Sequence, residues 1–391
     1  MNGLPDEARV ARATLLRVSE AATPLLHHVR AHGVEATLAD IRAGAPISGV
    51  DVVALKTRLA EADGARDLEQ AAAVGARLVC PGDDEWPGLL DDLDRIDADC
   101  FGLWVRGSER LDDVVARSVA IVGTRTPTAY GEHVAGEFAA GLADRGWTVV
   151  SGLAYGIDGA AHRAVLSAGG STVGVLACGI DVVYPLGHRS LVGRIAEEGL
   201  IVSEYPPGAA PQRHRFLVRN RIIAALTLGT VMVEAARRSG ARSTLNHARD
   251  LLRQTMVVPG PVTSAMSDGC HVALREVIGS VVVTRVDEVV EQCGHLGELA
   301  DPLSGPLRPR DRLGPLVRRV FDAVPVMRAA PVERIAVTAC VSAEVVEPSL
   351  AALRALGLVE QLPEGWRMSR AGRDERHSDA RPDRPLPLDW L

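Results

Sequence analysis

Residues 119–153 read VAIVGTRTPTAYGEHVAGEFAAGLADRGWTVVSGL. The stretch opens on an apolar run, Val119–Val122, that breaks into Gly123-Thr124-Arg125. It closes on a second run, Thr148–Val150, that breaks into Ser151-Gly152-Leu153. An amphipathic segment joins them. A strand, a helix and a further strand make a unit whose strands lie parallel. The same texture continues outward from about residue 100 to 290. Further strands are read at Leu103–Arg106, Thr172–Leu176, Leu200–Ser203, Thr230–Val233, Met256–Val258 and Val281–Thr284. Near-continuous apolar strands separated by helices imply a parallel sheet covered on both faces. The fold class is therefore α/β, with an extended Rossmann-type parallel sheet core over residues 100–292.

The flanks have other textures. Residues 1–78 show apolar positions at helical spacing, from Ala13 and Leu15 to Leu38 and Ile41, with Gly33 where a helix C-cap would sit. A helical domain is expected there, either a helix-hairpin-helix (SAM-like) module or a dimerisation or packing domain. Residues 81–99 are acidic and lack ordered ligand spacing, so a solvated connecting face is expected rather than a metal site. A linker is read at 293–312, rich in Gly, Pro and charge. Residues 313–371 give three helices and two short strands, the order of a winged-helix domain. A disordered tail is expected over 372–391.

The whole chain has 391 residues, enough for two or three domains. Its formal net charge is −7, which does not by itself point to nucleic acid, so the distribution of charge matters more. Of 43 basic residues only Lys56 is a lysine. The six cysteines are scattered without metal or redox spacing, as in a reduced, cytoplasmic protein. Asp6, Glu7, Arg9 and Arg12 interrupt any signal peptide, and the apolar run near Ile222–Val233 is too short to cross a membrane.

Small and polar residues gather where the strands end: Gly123, Thr124 and Arg125, then Ser151 and Gly152, then Glu204, then Glu234 running on to Ser239 and Gly240. In open α/β sheets ligands bind at this carboxyl crest, where glycines let backbone approach and helix N-termini offer N–H groups to phosphate. The glycines do not complete a dinucleotide fingerprint, so no nicotinamide cofactor is expected, nor any other. Asp158 reads as a helix N-cap and His162 as a buried packing residue, with acid–base chemistry as the alternative. No motif of a P-loop, a zinc protease or a serine hydrolase is present, so neither a metal nor a catalytic residue is assigned.

The segment Arg213-His214-Arg215-Phe216-Leu217-Val218-Arg219-Asn220-Arg221 holds four arginines and no acid. No Asp or Glu occurs from Tyr205 through Val233. Guanidinium forks match phosphate oxygens. Phe216 would stack on a base and Asn220 would hydrogen-bond to one, whereas Arg219 or Arg221 alternatively serves structure. Arg237, Arg238, Arg242, Arg249 and Arg253 would extend the same surface.

Residues 119 to about 278 resemble the bacterial DNA-processing protein A family (DprA, or Smf). The shared pieces are VAIVGTR at 119–125, SGLAYGID at 151–158 with Ala161-His162, Tyr184-Pro185, SEYPPG at 203–208, FLVRNRIIA at 216–224, Val233-Glu234-Ala235 with Ser239-Gly240, and Val258-Pro259-Gly260 with Ser267-Asp268-Gly269. The resemblance implies a non-catalytic protein of natural transformation that binds and protects incoming single-stranded DNA, helps load the RecA recombinase and dimerises. It also places the DNA-contacting arginine at Arg125 and a basic and aromatic pocket at Arg213 and Phe216. The chain departs from the family at Leu217, where proline is usual, at Ala241–Leu245, where Ser-Leu-Ile-Thr-Ala is usual, and at Leu252, where glycine is usual. Two rivals are a nucleotide phosphoribohydrolase, whose PGGxGTxxE loop is incomplete at Pro259–Thr263, and a duplex-DNA reader. The latter would use the helix at 343–356, whose acids, Glu344 and Glu347, oppose that role.

Overall fold

A computed structural model describes residues 6–19, 24–98, 100–295, 297 and 313–377. The chain divides into two compact units between Asp301 and Pro302.

The first unit is built on one sheet of nine strands: β1 (Ala76–Val79), β2 (Leu103–Arg106), β3 (Ser118–Val122), β4 (Thr148–Ser151), β5 (Thr172–Leu176), β6 (Leu200–Ser203), β7 (Gly229–Met232), β8 (Gln254–Val257) and β9 (Val281–Val282). Their spatial order is β1-β2-β6-β5-β4-β3-β7-β8-β9. Every pairing from β6 to β9 is parallel. β3 is the pivot: the chain adds β4, β5 and β6 on one side of it and later β7, β8 and β9 on the other. This reversal separates the loop after β3 from the loop after β7 and opens a crevice between them.

Alternation along each strand feeds two cores. Ala120 and Val122 point into one, against Ile222 and Leu245 of the Arg213–Ala225 and Ala241–Asp250 helices. Val119 and Ile121 point into the other, against Phe138, Leu142 and Val165 of the Ala129–Ala143 and Ile157–Ser167 helices. Both faces are thus covered, as the apolar strands require.

Three features differ from the sequence expectation. First, the sheet is mixed, because β2 runs antiparallel to β6 and β1 antiparallel to β2. A short apolar run carries no mark of its direction. Second, no boundary falls near residue 78. The helices Asp6–Val18, Leu25–His32, Val34–Ala43, Val52–Glu61 and Gly64–Ala73 form one cluster with Trp104, Leu176 and Ile201 of the sheet. Gly33 does close the Leu25–His32 helix, with φ 84°. Third, the acidic stretch is not merely solvated. Asp83 binds Arg9 at 2.8 Å, Asp92 binds Arg253 at 2.7 Å, Glu85 pairs with Arg77 and Asp94 with Arg30. These pairs tie the helical layer and the Gly88–Ile96 turn to the sheet.

The second unit packs the helices Pro315–Ala323, Val332–Ala339 and Ala343–Ala355 around Phe321, Ile335, Leu350 and Leu353. An antiparallel hairpin of β10 (Val359–Leu362) and β11 (Gly365–Met368) closes it, and Ala330 bridges to Trp366. Arg370–His377 is helical where a disordered tail was expected. Residues 298–312 of the linker and 378–391 of the tail lie outside the described residues. Among the described residues, no single helix is long and apolar enough to cross a membrane.

Candidate nucleic-acid interface

A cleft of about 320 Å³ opens at the crevice between β3 and β7. Gly123, Thr124 and Arg125 line it from the β3 loop, and Arg238, Ser239 and Gly240 from the β7 loop. The side of the Arg213–Ala225 helix contributes Phe216, Leu217, Arg219 and Asn220. Thr244 lies one turn into the Ala241–Asp250 helix. The strand ends thus meet as the crest argument expects. Glycine is required at Gly123, where a Cβ would sit 2.5 Å from Ile157 and 2.8 Å from the Glu234 carbonyl.

The arginines of the basic segment separate into two kinds. Arg213 is exposed, one turn before the cleft-lining part of its helix. Arg125 is exposed, and its guanidinium lies 5.4 Å from the Phe216 ring centre. Phe216 is half-buried, so it helps hold Arg125 at the cleft mouth. Arg215, Arg219 and Arg221 are all buried, which corrects the expectation of phosphate contact and gives Arg219 and Arg221 the structural role that was their alternative. Arg215 lies 4.6 Å from the Tyr205 ring centre and donates to the Ala210 carbonyl at 2.9 Å. Arg221, 1% exposed, donates to both oxygens of buried Glu204, at 2.7 and 2.8 Å.

Arg219 and Asp158 together clamp the β4 loop. Arg219 donates to the carbonyl of Gly152 at 2.8 Å and to that of Val175, while the Gly152 N–H donates to Asp158 at 3.1 Å. A Cβ on Gly152 would meet the Arg219 guanidinium at 2.5 Å, so a larger residue here would displace the clamp. Burial pulls Arg219 down to about 10, against the attraction of Asp158. The same burial raises Asp158 above the usual carboxylate range, against the attraction of Arg219. Asp158 is not the helix N-cap that its position suggests. Gly156 takes that place, and Asp158 also accepts from the Ala154 amide at 3.4 Å.

Ser151 and Gly152 therefore shape the crest from below. Ser151 is fully buried and donates to the Ile121 carbonyl at 2.6 Å. Asn220 lines the cleft and donates to the Gly240 carbonyl at 3.3 Å, tying the basic helix to the β7 loop. His162 is fully buried against the Thr172 hydroxyl at 2.8 Å, and burial lowers it to about 3. It is thus the packing residue of the first reading.

The sequence reading passed over Glu234 as a working part. It is 2% exposed and accepts from the backbone amide and the hydroxyl of Thr128, at 2.9 and 2.7 Å. An acid directly after the apolar run Val231–Val233 is the signal that marks it. With Glu204, Asp158 and Asp181, which accepts from Gly208 at 2.7 Å, it completes a pattern. Of these carboxylates Asp158, Glu204 and Glu234 are buried, and Asp181 is exposed but held by the Gly208 amide. Two helices at the cleft also begin without an acid in the first turn, Arg213–Ala225 with Arg213 there and Ala241–Asp250 with Arg242. Cations at the positive end of a helix dipole oppose folding and favour an anion.

A sequence profile of the family described as DNA recombination-mediator protein A matches residues 77–294, more than half of the chain. The chain belongs to this family. The matched residues run from β1 to the end of the Val286–Cys293 helix and so cover the whole sheet and its crest. A Mycobacterium tuberculosis protein named putative DNA processing protein DprA is 47% identical over 352 residues, 85% of this chain and 90% of that protein. Protein Smf of Synechocystis is 33% identical over 332 residues, 78% of this chain and 82% of that one. The crystal structure of DNA processing protein A from Streptococcus pneumoniae aligns with a TM-score of 0.59 at 31% identity, covering 74% of this chain and 96% of that one.

Proposed function

We propose that this chain binds single-stranded DNA across the β3–β7 crevice, catalyses no reaction, and serves DNA processing in transformation by protecting incoming DNA and helping to load RecA. The observation that carries the reading is the charge balance at the crest. Asp158, Glu204 and Glu234 are buried and bonded inside the protein, which leaves Asp181 as the exposed acid of these loops, while Arg125, Arg213, Arg237 and Arg238 face solvent. The partner is therefore an anion, and counterion release drives its binding.

Size and shape favour a single strand. The cleft is at the small end of ligand-site volumes, and an aromatic ring sits within its wall. A ring in a wall reaches a base only where the base is unpaired. Asp158, the carboxylate lining the cleft, is held by two backbone amides, which suits a scaffold better than a general base.

The description of the family as a recombination mediator supports the role beside RecA. The family resemblance likewise supports a homodimer acting in the cytoplasm, and two crests on one strand would add avidity. The three helices and hairpin of the second unit are read as a winged helix. Its third helix carries Glu344 and Glu347, so we assign it protein contact or packing rather than the reading of duplex DNA.

The test is fluorescence anisotropy with labelled single-stranded and duplex oligonucleotides across a salt series. Wild type is expected to prefer the single strand. Arg125→Ala is expected to weaken binding by roughly tenfold or more and to reduce the salt slope by about one. Equal affinity for duplex, or indifference to Arg125, would overturn the reading. Nucleotide hydrolysis by the purified chain would favour the phosphoribohydrolase instead.

A further inference from the structure

Aromatic side chains are scarce in this chain, at 3% of residues, and half of the described ones are buried. Among the described residues, the exposed ones are Tyr130, Tyr155 and Tyr184. They follow β3, β4 and β5 respectively, so all three stand on the carboxyl crest. Tyr130 is tied down, its hydroxyl donating to the Pro259 carbonyl at 2.6 Å. Tyr155 and Tyr184, 50% and 40% exposed, flank one short turn, Leu186–His188. Tyr184 is continuous with the cleft, because its ring centre lies 5.3 Å from that of Phe216. Tyr155 packs edge-on to His188 at 4.8 Å, and its hydroxyl sits where a Cβ on Gly187 would be only 2.6 Å away. Both rings are thus braced from beneath while keeping open area.

The charge around them matches a phosphate backbone. Arg163 and Arg189 are exposed. The Arg163 guanidinium lies beside His188, near Gly159, whose added Cβ would meet both side chains. Arg189 opens a helix, Arg189–Glu198, with no acid in its first turn. Of the nearby acids, Asp158 is buried and bonded to the Gly152 amide, and Asp181 is exposed with the Gly208 amide as a partner, so two exposed arginines outnumber one exposed acid.

We propose that Tyr155 and Tyr184 form a base-stacking ledge, which carries a single strand out of the cleft and across β4 and β5. The inference rests on the single-stranded DNA reading and gives the strand its direction over the sheet. Phe216, with Arg125 against its ring, links cleft and ledge, and the two tyrosines offer the open platforms. Stacking accepts any base, so the ledge adds affinity without sequence preference.

The experiment measures anisotropy of a labelled oligothymidine with the full chain and with Tyr155→Ala/Tyr184→Ala and Tyr155→Phe/Tyr184→Phe. The alanine pair is expected to weaken binding at least about tenfold, since each stacked base is lost with its ring. Its salt slope stays at the wild-type value, because no phosphate contact is removed. The phenylalanine pair binds as wild type does. An oligomer carrying several adjacent abasic sites binds wild type as weakly as the intact oligomer binds the alanine pair. Wild-type affinity in the alanine pair, with Arg125→Ala still impaired, overturns the ledge and leaves the cleft standing. An equal loss in the phenylalanine pair also overturns it, because the hydroxyls and not the rings would then matter. Absence of single-strand binding by wild type overturns the parent reading itself.

Discussion

Arg213 and Arg221 lie about two turns apart on one helix. Arg213 is exposed in the first turn, where no acid accompanies it. Arg221 is 1% exposed, and its two terminal nitrogens grip Glu204 at 2.7 and 2.8 Å. The residue type, the helix and the local sequence are the same, and the work is opposite. The buried arginine and its neighbour Arg219 fix the loops after β6 and β4, and the exposed one offers charge to a ligand. Basic density in a segment is therefore a poor measure of its binding surface. What matters is where each guanidinium finds its partner.

The sharpest way to break this contrast is to remove the buried member. Arg221→Met leaves Glu204 charged, buried and alone, and such a change is expected to destabilise the fold by about 3–5 kcal/mol. Urea unfolding reads it directly. Replacing both partners, Glu204→Leu with Arg221→Met, is expected to recover much of that loss. If Arg221→Met unfolds as wild type does, the division between buried and exposed arginines fails.

His162 extends the same contrast to pH. Burial holds it neutral down to about 3, whereas an unfolded histidine takes up its proton near 6.5. Between those values the unfolded chain binds one more proton than the folded one. Stability is therefore lost as pH falls below 6.5, by up to roughly 1.4 kcal/mol per pH unit from this group. His162→Gln is expected to remove that share of the acid-side slope and to have its smallest pH-linked effect above 7. Urea midpoints at pH 7.5 and 5.0 for both proteins check it. An unchanged slope in the variant would show that His162 is protonated in the folded state.

The sheet was legible in the sequence because apolar strands and helical spacing obey fixed periods, and eight of its strands fall where the runs predict. The crest was legible for the same reason, since small residues at strand ends can only gather on one edge. The direction of β2 was not legible, as an apolar run of four residues reads the same both ways. The structural role of Arg219 and Arg221 was legible only as an alternative and that of Arg215 not at all, and the reason is specific. The acid-free window from Tyr205 through Val233 made the segment look like a free cationic surface. Its two borders are Glu204 and Glu234. Those two acids are the ones that reach back, to Arg221 and to Thr128, through pairings that only the folded sheet creates. Counting charge along the chain stopped one residue short of the partner.

Arg213→Ala supplies the other half of the contrast and the smallest expected change in stability. An exposed side chain with no ion pair among the described residues contributes within about 0.5 kcal/mol. Its removal also relieves a positive charge at the positive end of a helix, which favours folding slightly. Binding should respond instead, with the salt slope for single-stranded DNA reduced by about one and the affinity lowered across all sequences alike. A variant that keeps both its urea midpoint and its salt slope would remove Arg213 from the path of the strand. The exposed contribution would then narrow to Arg125 and the arginines of the β7 loop. A variant that loses stability but not slope would move Arg213 to the side of Arg221, and the helix would then be structural along its full length.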